Sequence, residues 1–157
     1  MTFGKERHRR EYFRLRLDPP LFADMTIVLI KGKSLEVGSA KVLIEDIGGG
    51  GLRFLSHLKM PANDQLVLQF ETLLQDEPLK MYGHILRTAI WGEKFYEYAV
   101  RFTMEEAQHL EINRIVNRYV IRSRQNRQVR GEHFLQGDRE QFLEEQARLS
   151  LQTTPAR

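Results

Sequence analysis

The sequence contains no cysteine. Disulfides, thiolate zinc sites and cysteine nucleophiles are therefore excluded. Long apolar runs are missing too: none approaches the ~20 residues a helix needs to cross a bilayer. The N-terminus is basic but lacks the apolar stretch of a signal peptide, so a cytoplasmic chain without membrane insertion is expected. Five histidines, His8, His57, His84, His109 and His133, lie scattered without metal-ligand spacing, and no metal site is expected. Phosphate-loop, dinucleotide-fingerprint and nucleophile-elbow patterns do not occur. With no catalytic residue to name, the chain reads as a non-enzyme. Repeats and low-complexity tracts are also missing.

What is present is 157 residues, 41% hydrophobic and 29% charged, enough for one globular domain with some excess. The net charge of +3 is unevenly placed. Residues 5–16 carry +4 and residues 114–130 carry +6, while residues 17–113 carry −5 and residues 131–157 carry −2. A nonspecific nucleic-acid binder more often spreads positive charge over a face. Two short basic segments on an acidic body suit a small polyanion or a local protein contact, and no DNA partner is expected.

The first two-thirds of the chain has the pattern of strands. Phe13-Arg14-Leu15-Arg16-Leu17 alternates apolar and basic side chains, and Asp18-Pro19-Pro20 is expected to interrupt it. Met25–Ile30 is β-branched and runs into a turn at Lys31-Gly32-Lys33-Ser34. Ala40–Ile44, Leu52–Leu55, Leu66–Phe70, Lys80–Ile90 and Phe95–Phe102 follow, with a hairpin turn at Trp91-Gly92-Glu93-Lys94. Six or seven short strands with turns between them predict a mainly β fold, a small closed barrel or sandwich. Beyond it, Thr103 is a candidate N-cap. Ile112, Ile115, Val116, Tyr119 and Val120 form the apolar stripe of a helix. Residues 125–131 read as a polar linker, and 134–149 as a second helix with Phe134, Leu135, Phe142 and Leu143 as its apolar residues.

Two segments carry the chemistry. Arg10 and Arg14 stand four apart before or at the start of the first strand, with Arg9 directly upstream. Guanidinium is always charged, planar and a five-donor fork, so it can grip phosphate or donate to O6 and N7 of guanine. Asp46 is followed by Ile47 and then by Gly48, Gly49, Gly50 and Gly51. A carboxylate accepts from the opposite, Watson–Crick edge of guanine. Glycines let backbone amides meet oxyanions without Cβ shielding.

Arg10-x-x-x-Arg14 followed by Asp46-x-Gly48-x-x-Gly51 resembles the signature of the PilZ domain family, Arg-x-x-x-Arg then Asp/Asn-x-Ser-x-x-Gly. PilZ domains are bacterial receptors for cyclic di-GMP. The resemblance covers roughly residues 7–120 and implies a six- to seven-stranded antiparallel Greek-key PilZ-like β-barrel with a C-terminal α-helix and a helical or disordered tail. It divides the chain into a barrel with arginine loop and closing helix at 1–124 and a tail at 125–157. It also implies that Arg10 and Arg14 hold phosphate and guanine, that Asp46 reads guanine, and that Gly48, Gly49 and Gly51 line the ligand. An arginine at position 9 implies a stacked pair of cyclic di-GMP molecules. The arginine loop would close over the nucleotide and change the surface shown to an unidentified protein partner. No cofactor is implied beyond this ligand.

Gly48 departs from the signature. A serine hydroxyl there would donate to the ligand. Losing a hydrogen bond to a charged group weakens binding roughly tenfold to a hundredfold. Two other readings stay open: a PilZ adaptor that acts through protein contacts without nucleotide, and a small RNA-binding barrel using Tyr12, Phe13, Tyr96 or Tyr98 as stacking platforms. Arg87 precedes the hairpin turn and is a further candidate for the ligand face. Arg114, Arg118 and Arg122 share one helix face, either solvated or against an acidic surface of a partner or of the chain itself. The tail is a candidate for homodimerisation. The chain starts almost at the motif, as a stand-alone domain or the C-terminal half of a longer protein would.

Overall fold

Strand-forming segments rich in β-branched and aromatic residues pair antiparallel throughout the barrel. The computed structural model describes residues 13–30, 33–34, 39–125 and 133–152. The strands are β1 (Arg14–Ile30), β2 (Lys33–Ser34), β3 (Ala40–Gly48), β4 (Gly51–Ser56), β5 (Leu66–Leu74), β6 (Glu77–Trp91) and β7 (Phe95–Phe102). Their order is β2-β1-β3-β4-β7-β6-β5, and a further pairing of β1 with β5 closes six of them into a ring. The Greek-key step follows β4: its sheet neighbour is β7, while residues 57–65 carry the chain across to β5, between β6 and β1. The expected mainly β barrel is the observed architecture.

Alternation fills the interior. Leu17, Val42, Ile44, Ile47, Leu52, Phe54, Leu68, Phe70, Met81, Tyr98 and Val100 point inward and are buried. Burying each such side chain is worth roughly 1.5–3 kcal/mol. Helix α1 (Glu106–Gln125) adds Ile112, Ile115 and Val116 to the same core, so the expected apolar stripe packs on the barrel.

Three boundaries differ from the sequence expectation. Asp18-Pro19-Pro20 does not end the first strand. β1 continues through it with a register shift between Arg16 and Leu21, and the Asp18–Pro19 peptide is cis. A bulged edge tolerates proline because no ladder N–H is needed there. Lys33 and Ser34 form β2 against Ile30 and Leu29 rather than a turn. Helix α1 begins at Glu106, so Thr103 is not its N-cap; the Thr103 amide donates to the Tyr82 carbonyl on the sheet, 2.9 Å. The cap sits at Glu105, whose amide donates to Gln108 Oε1 at 3.0 Å and whose carbonyl accepts the Gln108 and His109 amides.

The C-terminal segment is the larger correction. Helix α2 spans Arg139–Gln152, and Phe134 and Leu135 precede it rather than belonging to it. Asp138 caps this helix: its Oδ2 accepts the Gln141 amide at 3.1 Å. Upstream, Phe134 forms an isolated antiparallel bridge with Leu21 of β1. The Phe22 amide donates to the His133 carbonyl and the Leu135 amide to the Pro20 carbonyl, both at 2.8 Å. Leu135 and Leu143 pack with Leu43, Leu55 and Phe95 on the outside of the barrel, edged by Phe22, Trp91 and Phe142. Leu43 is thus as buried as Val42 and Ile44 beside it, so β3 is covered on both faces. The linker expected at 125–131 falls, after Gln125, outside the described residues.

Candidate ligand-binding face

The pairing register places the charged residues. On β1, Leu15 and Leu17 face the core, so Arg14 and Arg16 face out. Arg14 pairs with Gly48, and Arg16 with Asp46, which pairs in turn with Arg53. Across β4 and β7, Gly51 pairs with Arg101 and Arg53 with Ala99. Finally Arg101 pairs with His84, and Ala99 with Arg87. Two adjacent outward rows result. One runs Arg14, Gly48, Gly51, Arg101, His84. The other runs Arg16, Asp46, Arg53, Ala99, Arg87. β1 pairs with β3 from residue 14 and with β5 only from residue 24, so the strands are strongly staggered. In such a sheared barrel, cross-strand rows climb along the wall rather than circling it. Five arginines therefore share one region of the outer surface.

The floor between them is made of residues without bulk. A Cβ at Gly48 would fall far inside contact distance of the Phe13 carbonyl oxygen, and one at Gly51 would do the same to the Val100 carbonyl oxygen. Glycine at these positions is demanded by close backbone approach, independently of any ligand. Gly49 is buried, and its carbonyl accepts from His109 Nδ1 at 2.7 Å. The Gly50 carbonyl accepts the Phe102 amide at 3.0 Å. The glycine run is thus a fastened hairpin end beside α1, not an open loop.

Asp46 sits between two guanidinium groups. Arg14 Nη2 donates to its Oδ1 at 2.5 Å, and Arg53 Nε to its Oδ2 at 2.6 Å. Arg53 also pairs with Glu97 on β7. Burial opposes the Arg53 cation, but hydrogen bonds and charge from Asp46 and Glu97 outweigh it and raise its pKa. Arg14 Nε is buried and lacks a partner among the described residues, so one donor remains to be satisfied.

Of the residues expected at the site, the structure brings together Arg14, Asp46, Gly48 and Gly51, and sets Gly49 just behind them. Arg9 and Arg10 lie outside the described residues. Arg87 does lie on the same outer face. Sequence reasoning missed Arg53 and Arg101. Alternation from Gly51 was the available signal for Arg53, since residues 51, 53 and 55 share a strand face; Arg101 required the β4–β7 register. Trp91 belongs to the outer apolar cluster. The α1 arginines meet acidic or amide groups of the chain itself: Arg118 pairs with Glu77, Arg122 bonds Gln75 Oε1 at 3.3 Å, and Arg114 pairs with Glu111. Among the described residues no His, Asp or Glu cluster could hold a metal, and no helix is long and apolar enough to cross a membrane.

The chain is thus a six-stranded Greek-key barrel with an arginine–aspartate–glycine outer face. The PilZ domain profile matches residues 8–122, and the chain belongs to that family. No curated protein matches it significantly. Among solved structures, Escherichia coli YcgR in complex with c-di-GMP is similar with a TM-score of 0.55 and 17% identity, over 74% of this chain and 48% of YcgR. The isolated PilZ domain of YcgR with c-di-GMP gives a TM-score of 0.51 and 20% identity, over 75% of this chain and 96% of that domain. The K. pneumonia MrkH–c-di-GMP complex gives 0.54 and 15%, over 75% and 55%. At such identities the likeness is one of fold. The chain spans about half the length of YcgR and MrkH.

Proposed function

We propose that this chain is a non-enzymatic cyclic di-GMP receptor. The observation that carries the reading is Asp46 held between Arg14 and Arg53 beside a floor of Gly48 and Gly51. Arginine forks suit phosphate and the O6/N7 edge of guanine, and a carboxylate suits the N1/N2 edge. Family membership and the c-di-GMP bound by YcgR and MrkH support the same ligand. Arg9 and Arg10 would come from the segment before β1, and closure of that segment over the nucleotide would alter the surface offered to a protein partner. Such a switch requires the ligand to bind the closed state better than the open one.

The adaptor reading has one specific support: both Asp46 oxygens are already engaged by arginines, and no serine stands at position 48. The RNA reading has less. Tyr98 is fully buried and Tyr96 packs against the core, which leaves Phe13, half exposed, as a stacking surface among the described candidates.

Titration calorimetry with cyclic di-GMP, with GTP and a short RNA as controls, tests the proposal. Binding of cyclic di-GMP alone at micromolar affinity or tighter is expected, and a stoichiometry near two per chain would implicate Arg9. Arg14→Ala should lower affinity at least a hundredfold, roughly the loss of two charge-assisted bonds, with unchanged thermal unfolding. Unaltered affinity in that variant would rule out the proposed site.

A further inference from the structure

We propose that Arg101 and Arg87 form a second cationic wall of the ligand face, opposite Arg14, and that this wall takes the far anionic half of a guanine dinucleotide. The inference rests on the receptor reading and extends it from the signature residues to β7 and β6.

The register carries the argument. Arg101 stands beside Gly51 as Arg14 stands beside Gly48, so the two arginines bracket the glycine floor from opposite sides. Three strand steps separate them, about 14 Å of backbone at the usual strand spacing. Arg87 flanks Ala99 in the adjoining row, just as Arg16 flanks Asp46. Arg87 and Arg101 are both exposed. Arg14 and Arg53 are partly neutralised by Asp46 and Glu97, but no carboxylate among the described residues pairs with Arg87 or Arg101. His84, next to Arg101, has a buried Nδ1 without a partner among the described residues. Unpaired cations and an unsatisfied ring nitrogen at one rim, with Gly48 and Gly51 between Arg14 and Arg101, fit a ligand that carries a phosphodiester and a purine in each of two halves. Each fork adds charge-assisted bonds to phosphate or to the acceptor edge of a purine.

The test is calorimetric titration of the full chain with cyclic di-GMP, comparing wild type with Arg101→Ala, Arg87→Ala and Arg122→Ala. The last removes the same charge from α1, away from this face. Arg101→Ala is expected to weaken binding roughly tenfold or more and Arg87→Ala severalfold, while Arg122→Ala stays near wild type. Full affinity in both wall variants overturns the proposal. So does an equal small loss in all three, which would reveal only a general charge effect. Absence of binding by wild type overturns the receptor reading, and the second wall with it. Wild-type binding with an intact Arg101→Ala titration overturns the wall alone.

Discussion

The outer face of β3, β4 and β7 has two halves built by the same strands with the same alternation. Toward the glycine hairpin it presents Asp46, Arg53 and Arg101 around Gly48 and Gly51, with Arg14 of β1 alongside. Farther along the same strands it presents Leu43, Leu55 and Phe95. The chain covers the apolar half itself, with Leu135, Phe142 and Leu143. In the cationic half Arg101 stays exposed. Apolar area left in water is costly, at roughly 25 cal/mol per Å², whereas exposed arginines are well solvated. The contrast separates what the fold needs from what a ligand needs. An ionic seam lies between the halves. On one strand Glu97 pairs with Arg53 of the site, and on another Glu45 accepts from Arg139 of α2 at 2.8 Å.

Breaking the covered half should produce the largest effect. Leu143 is fully buried between α2 and the barrel. Leu143→Ala is expected to cost about 2–5 kcal/mol, read from urea unfolding, with faster amide exchange along α2. Affinity for cyclic di-GMP should stay within a factor of about two, since the register of the arginine rows does not depend on that side chain. A parallel fall in affinity would show that the halves act as one cooperative unit.

The next test fills the floor of the open half. Restoring the signature serine by Gly48→Ser puts a Cβ into the Phe13 carbonyl. Overpacking of this kind costs typically 1–3 kcal/mol. The start of β1 should lift from β3, loosening the Arg14–Asp46 pair, so affinity should fall and exchange at residues 14–16 should rise. Higher affinity at unchanged stability would instead mean that the missing hydroxyl matters more than the close strand approach.

The seam gives a smaller signal. Glu97→Gln removes one of the two carboxylates holding Arg53 and reduces negative charge beside the proposed ligand. Stability should change by less than about 1 kcal/mol, as expected for a partly exposed pair. Ligand affinity should rise modestly at low salt, and the gain should shrink as salt screens the charges. A decrease in affinity would show that Glu97 positions Arg53 rather than merely competing for it.

The two halves were unequally legible in the sequence. Barrel strands announce themselves by alternation, and the resemblance to the PilZ signature pointed to Arg14, Asp46 and Gly51, which the fold brings together. Leu43 was readable as a strand residue, but its outward burial was not, because the element that covers it lies about ninety residues later and is joined by no local pattern. The same limit hid Arg101 and Arg53 as neighbours: their proximity follows from the β4–β7 pairing, a Greek-key step over a long connection. Proline misled at Asp18-Pro19-Pro20, where the missing donor was tolerated at a bulged edge instead of ending the strand. For Phe134 and Leu135, apolar spacing looked helical, yet main-chain hydrogen bonds with Pro20 and Phe22 hold the segment against β1 at a single bridge, Leu21–Phe134.

The smallest expected effect lies outside both halves and serves as their internal control. His57 follows β4, and both ring nitrogens are buried without partners among the described residues. Burial therefore lowers its pKa from the ordinary 6.5. The unfolded chain takes up this proton near pH 6.5, while the folded chain takes it up only at lower pH. Unfolding thus binds a proton in that window, and the contribution to stability is complete above pH 6.5 and declines as pH falls below it. Urea midpoints near neutrality and at about pH 5.5 should differ less in His57→Leu than in wild type. Acid should therefore weaken the fold without abolishing affinity at the candidate face. An identical pH slope in wild type and His57→Leu would place the acid sensitivity elsewhere in the chain.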